Sequence, residues 1–220
     1  MPQRPRFVGS WLQYLAVSSS ASIGGVYTRT MDALRRMVAI VMHPNAEWDR
    51  IAGEGMSIGM LLRHFILPLA LLAPTSTYIG IRFFNVDWDE DMGFLVPAQN
   101  AFAAATTTFF ASVGSVFALA GIFVLIAPLY GSSRDYRVAL KVATFGAVPI
   151  MLAGATLFLP VMALVGLVGL SHSLFLYWLG ARKVLQVAPA DQAEFVGIAI
   201  VMLMVVSTLG GAALSSMGIF

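Results

Sequence analysis

The chain has 220 residues, of which 59% are hydrophobic and only 11% charged, with a formal net charge of +2. A soluble domain of this size carries roughly 25% charged residues, so this chain cannot present polar surface to water on all sides. With a mean hydropathy of +0.83 it reads as an integral membrane protein. The absence of cysteine excludes disulfides, cysteine-ligated zinc and thiol catalysis.

Residues 1–29 read as an N-terminal interfacial extension and linker. Arg4 and Arg6 precede an apolar stretch and then SSSASIGG, the order of a secretory signal. The apolar part is short and interrupted by Gly9, Ser10 and Gln13, so an interfacial segment fits better, with Trp11 and Tyr14 at headgroup level.

Residues 30–56 predict amphipathic helices on the cytoplasmic side. Met31, Leu34, Met37, Val38 and Val41 share one apolar stripe at helical spacing, opposite Asp32, Arg35 and Arg36. This helix is too short and too charged to span. It either lies on the bilayer with its arginines among lipid phosphates or docks on the protein's own helices. His43-Pro44 ends it, and Asn45 is the expected cap of the next helix. Trp48 is expected as an interfacial anchor.

Residues 57–220 carry the membrane domain, with spans expected at 58–81, 106–129, 138–159, 161–180 and 194–216. Arg63 and His64 lie one turn inside the first span, where Arg63 can snorkel to the headgroups. Pro68 and Pro74 are expected to kink that span. In the next loop Asp87, Asp89 and Asp91 have a calcium-loop spacing, but Gly93 is one position late and no Glu follows at the twelfth position. That loop reads as solvated and acidic. The stretch 138–180 is the centre of the chain: two apolar runs meet at Pro160 with no charge between them. The last span offers Gly210, Gly211 and Ala212 for close helix approach.

Every Lys and Arg except Arg82 falls before or one turn inside the first span, in the loop after the second (Arg134, Arg137, with Lys141) or after the fourth (Arg182, Lys183). The positive-inside rule then puts the N-terminus in the cytoplasm and the C-terminus outside.

Three stretches resemble the bacterial Yip1-domain family. HPNAEWDRIAGE is similar to its segment before the first span. IAPLYGSSRDYRVALKVATFGAVPIMLAG is similar to its second-to-third span region, and LFLYWLG to the end of its fourth span. The resemblance implies a five-helix bundle with a cytoplasmic N-terminal region in a bacterial inner membrane, the C-terminus periplasmic. It supplies no catalytic residues. Ser132, Gly146 and His172 depart from the family pattern, as does Ala181-Arg182-Lys183.

No catalytic constellation is present. His43, His64 and His172 sit in different segments without metal-ligand spacing. All Asp and Glu lie in loops or interfacial helices, which argues against proton-coupled transport. No enzyme activity, cofactor, metal or nucleic-acid partner is therefore expected. His172, flanked by Ser171 and Ser173, is the one ionisable residue near mid-bilayer. His172 and Ser173 read as a candidate polar site, or His172 as a neutral histidine bonded to a backbone carbonyl. Arg35, Arg36, Arg134, Arg137, Arg182 and Lys183 are candidates for contact with anionic lipid or a partner, as are Trp11, Tyr14 and Trp48. The fold class expected is all-α: a polytopic bundle of five spans with interfacial amphipathic helices. The function expected is a non-enzymatic scaffold or accessory subunit associating laterally with other integral membrane proteins, those of a larger membrane complex included. The alternative is a small transporter, channel or lipid-moving protein lined by Thr106–Thr108, His172 and Ser173.

Overall fold

The computed structural model describes residues 31–84 and 101–216. Trp11, Tyr14, the linker after them and the acidic loop with Asp87, Asp89 and Asp91 lie outside the described residues. Among the described residues all regular elements are helical. Helix α1 covers residues 31–42 and α2 Pro44–Gly53. Helix α3 is the first long apolar helix, Ile58–Phe84, and α4 the second, Ala101–Tyr130. A bent pair follows, α5 at Tyr136–Gly146 and α6 at Val148–Gly154, with 43° between them. Helix α7 covers Ala163–Lys183 and α8 Gln192–Ser216.

Helix α5 is the axis of the bundle. Its N-terminus is fixed by Asp135, whose carboxylate accepts from Arg137 N–H at 2.8 Å. Residues 139–146 are then all buried, because α4 and α7 pack on it from the sides and α3 from the capped end. A helix enclosed this way has no need of a polar face, which is why the sequence reads apolar through this run. Lys141 is the exception.

Proline sets the irregularities. Pro149 has no N–H to give to the carbonyl four residues back, and the third span breaks at Ala147, one turn earlier than a straight helix would allow. The Ile150 N–H is taken by Ser173 Oγ of α7 at 3.1 Å. In α3, Pro68 follows a π-helical turn over Leu62–Ile66, and Pro74 follows a turn at Leu71. Each proline of α3 thus follows a local departure from α-helical geometry.

The bent pair runs the full depth of the bundle. Its start lies by α2 and the loop at Asp135. Its end lies beside the far end of α3: Ser76 Oγ donates to Ala155 O at 2.7 Å, and the Phe84 and Phe158 rings are 5.8 Å apart. Counting the pair as one crossing gives five spans. They are longer than expected at several ends, because α4 begins at Ala101 and α3 runs on to Phe84. The third is shorter as a helix, since residues 155–159 form turns leading into Pro160–Met162.

Candidate functional site

One end of the bundle carries a polar cap. Helix α2 lies across it, starting at Pro44 with His43 as its cap residue. Asn45 is therefore inside the helix and not its cap: proline is pre-organised for the first helical position, which moves the start one residue earlier. Three cations tie α2 down. Arg36 of α1 donates through Nε to Glu47 Oε1 at 2.9 Å and through Nη1 to Glu54 Oε2 at 2.6 Å, with its guanidinium 5.5 Å from the Phe145 ring centroid. Lys141 of α5 donates to Ile51 O at 3.1 Å and Glu54 O at 3.0 Å. Ile51 O also accepts from the Glu54 N–H at 3.3 Å, and Glu54 O lies just past the helix end, where carbonyls lack intrahelical partners. Lys183 of α7 donates to Asn45 O and Asp49 Oδ1, both at 2.8 Å.

Beneath these contacts the Trp48 indole is fully buried. It meets Phe145 edge-on at 6.4 Å and lies over Gly180, where a Cβ would come within 2.9 Å of the ring. Trp48 is therefore a core residue and not the interfacial anchor expected. A surface reading of Arg36 and Lys183 is corrected likewise: both are spent on holding α2, because acidic and carbonyl oxygens sit within reach. Lys141 leaves the basic cluster in which its position placed it. Its clue in the sequence is a lone charge inside an apolar run. Arg35, Arg134, Arg137 and Arg182 are exposed, and among the described residues they have no ion pair. They remain available to lipid or a partner.

Helix α1 divides its apolar residues between two faces. Ala33, Met37 and Ile40 face the bundle, whereas Met31, Leu34, Val38 and Met42 are exposed. The expected single stripe is thus two: Met37 turns inward because Arg36 anchors that side to α2. Docking on the protein's own helices and contact with the bilayer both have a face of this helix.

The two halves of the candidate polar site part company. Ser173 is fully buried and satisfies Ile150 N–H. His172, one residue earlier and about 100° round the helix, lines a shallow outward groove of about 470 Å³ with Leu167, Val168, Ser171 and Phe175. Thr106 and Thr108 hydroxyls return to their own helix at Phe102 O and Ala104 O, each at 2.8 Å. The residues proposed to line one path do not share one. We expect His172→Phe to leave the bundle assembled, with detergent-extracted protein eluting at the same volume and melting within about 0.5 kcal/mol of the parent. Loss of the folded peak would show that the imidazole holds the helices together.

The Yip1 domain model matches residues 38–211. The chain belongs to the Yip1 domain family. The matched region takes in α2, the whole bent pair and the cap contacts from Lys141 and Lys183, but not Arg36. Of the exposed stripe of α1 it takes in Val38 and Met42 and leaves out Met31 and Leu34. No curated protein and no solved structure matches the chain.

Proposed function

We propose that this Yip1-domain protein is a non-enzymatic membrane scaffold or accessory subunit, which associates laterally with other integral membrane proteins. The observation that carries this reading is the condition of the last span. In the most apolar window of α8 only 17% of residues are buried, against 33% in each of α3, α4 and α7. Gly210 and Gly211 have nothing within 4 Å of where a Cβ would stand. Small residues on a membrane helix let another backbone approach closely, and here that face is unused among the described residues.

The buried polar groups support the same reading. Ser76, Ser173 and Lys141 each bond a backbone group at a helix break or helix end, so they secure the bundle. The placement follows from charge: the capped end, which gathers all the basic loops described, is cytoplasmic, and the membrane is a bacterial inner membrane. Arg35, Arg134, Arg137 and Arg182 then face anionic lipid or a cytoplasmic partner.

The test is a native gel with mass spectrometry after mild-detergent extraction. We expect the parent chain to migrate with other membrane proteins, and Gly210→Leu with Gly211→Leu to release it as a folded monomer. A parent chain that runs alone overturns the reading.

A further inference from the structure

We propose that a cleft between α1 and the start of α3 holds the headgroup of an aminoalkyl phospholipid, with Arg63 on the phosphate and Asp32 on the ammonium. The cleft has a volume of about 820 Å³, and its walls include Arg36, Ser57, Met60, His64 and Phe65 as well as Asp32 and Arg63. It does not depend on lateral association, since α8 takes no part in it.

Four observations converge there. Arg63 is exposed and among the described residues has neither ion pair nor hydrogen bond; the described ion pairs belong to Arg36, Arg50 and Lys183. Asp32 lines the same cleft, is exposed and has no ion pair among the described residues. A cation and an anion that line one cleft without pairing with each other are complementary to a zwitterion whose charges are separated by a short linker. Arg36 adds little charge, because Glu47 and Glu54 already hold it.

The second observation is the backbone. Arg63, His64 and Phe65 all lie within the π-helical turn Leu62–Ile66. Such turns are rare and widen the helix locally, and this one puts three consecutive side chains on the cleft wall. The third is His64. Its Nδ1 donates to Met60 O at 3.2 Å, so Nε2 of the neutral ring is left as an acceptor for a ligand N–H or O–H, such as the ammonium.

The fourth observation selects a lipid over free phosphate. The cleft opens where α3 begins its apolar run, and Met60, itself exposed, and Phe65 supply apolar wall. The neighbouring outward stripe of α1 (Met31, Leu34, Val38, Met42) is exposed too. Glycerol and the first acyl carbons need such a wall, and inorganic phosphate does not. Choline would offer no N–H to the Asp32 carboxylate, whereas a primary ammonium offers three donors. Ethanolamine is therefore the headgroup that fits.

The experiment is native mass spectrometry of the full chain, delipidated in detergent and titrated with phosphatidylethanolamine, phosphatidylglycerol or phosphatidylcholine of matched acyl chains. The parent should retain phosphatidylethanolamine about three- to tenfold better than either of the others, the scale of one charge-assisted hydrogen bond. Arg63→Gln should weaken all three phosphodiesters together. Asp32→Asn should remove the preference for phosphatidylethanolamine and leave phosphatidylglycerol binding as it was. Size-exclusion elution of each variant checks that it is folded. Equal retention of the three lipids by the parent, or an unchanged preference in Asp32→Asn, overturns the proposal. Stronger binding of inorganic phosphate than of any lipid also overturns it.

Discussion

Gly146→Ala is expected to cost more than 3 kcal/mol, beyond the roughly 1–3 kcal/mol of ordinary overpacking. A Cβ at Gly146 would overlap Cδ1 and Cε1 of Tyr177. That ring is buried and has its own contact with Phe123, at 6.1 Å between centroids. It cannot swing aside as the tip of a surface chain would, so α5 and α7 must separate. Separation would also strain the Ser173 bond to Ile150 N–H, a few residues further along the same contact. Thermal melting in detergent reads the loss. Adding Tyr177→Leu should recover part of it, because neighbouring sites that clash do not contribute additively. A Gly146→Ala protein that melts with the parent would show that the helices are not this close.

Trp48→Ala is the second large effect. Removing a fully buried indole costs about 3–5 kcal/mol, from lost burial and from the cavity left behind. Here the loss falls on the cap. Helix α2 would keep its ionic contacts with Arg36 and Lys183, but the Asp49 carboxylate is mostly exposed and its pair with Lys183 contributes little, while the more buried Arg36–Glu47 pair offsets its gain with the cost of desolvation. Limited proteolysis should then cut within residues 44–56 while the spans stay protected. Trp48→Phe should cost much less, because the indole Nε1 has no hydrogen-bond partner to lose and Phe145 still meets a ring edge. Equal protease resistance of Trp48→Ala and the parent would show that the ionic contacts alone hold α2.

The spans were legible because each is a long apolar run, and bilayer thickness sets its length independently of the neighbours. The placement of Trp48 was not legible. An aromatic residue on an amphipathic helix beside a membrane span has the same local pattern at the interface as in a core, and the difference here is Gly180, a small residue far along the chain. Arg36 was misread for a similar reason. Its helix has a polar side, but whether lipid phosphate or Glu47 lies opposite depends on how α2 folds back. Lys141 was counted with the basic loop after the second span, and only the fold shows that the end of α2 is above it. The break at Ala147 could be traced to Pro149. Ser173, which supplies the missing partner, gave no local signal, since a serine in a membrane helix usually bonds its own backbone, as Ser171 does to Leu167 O at 2.9 Å.

The cap also sets an order of events during synthesis. Helix α2 is among the first parts of the described chain to leave the ribosome, but the residues that hold it come late. Lys141 is 87 and 90 positions from its acceptors, and Lys183 is 134 and 138 positions from its own. At about 5–20 residues per second, α2 waits about 7–28 s for Lys183 to be made. In that interval Trp48 has no Gly180 to rest on. The cap can therefore close only after the fourth span has been made, and its closure reports that this span is in place.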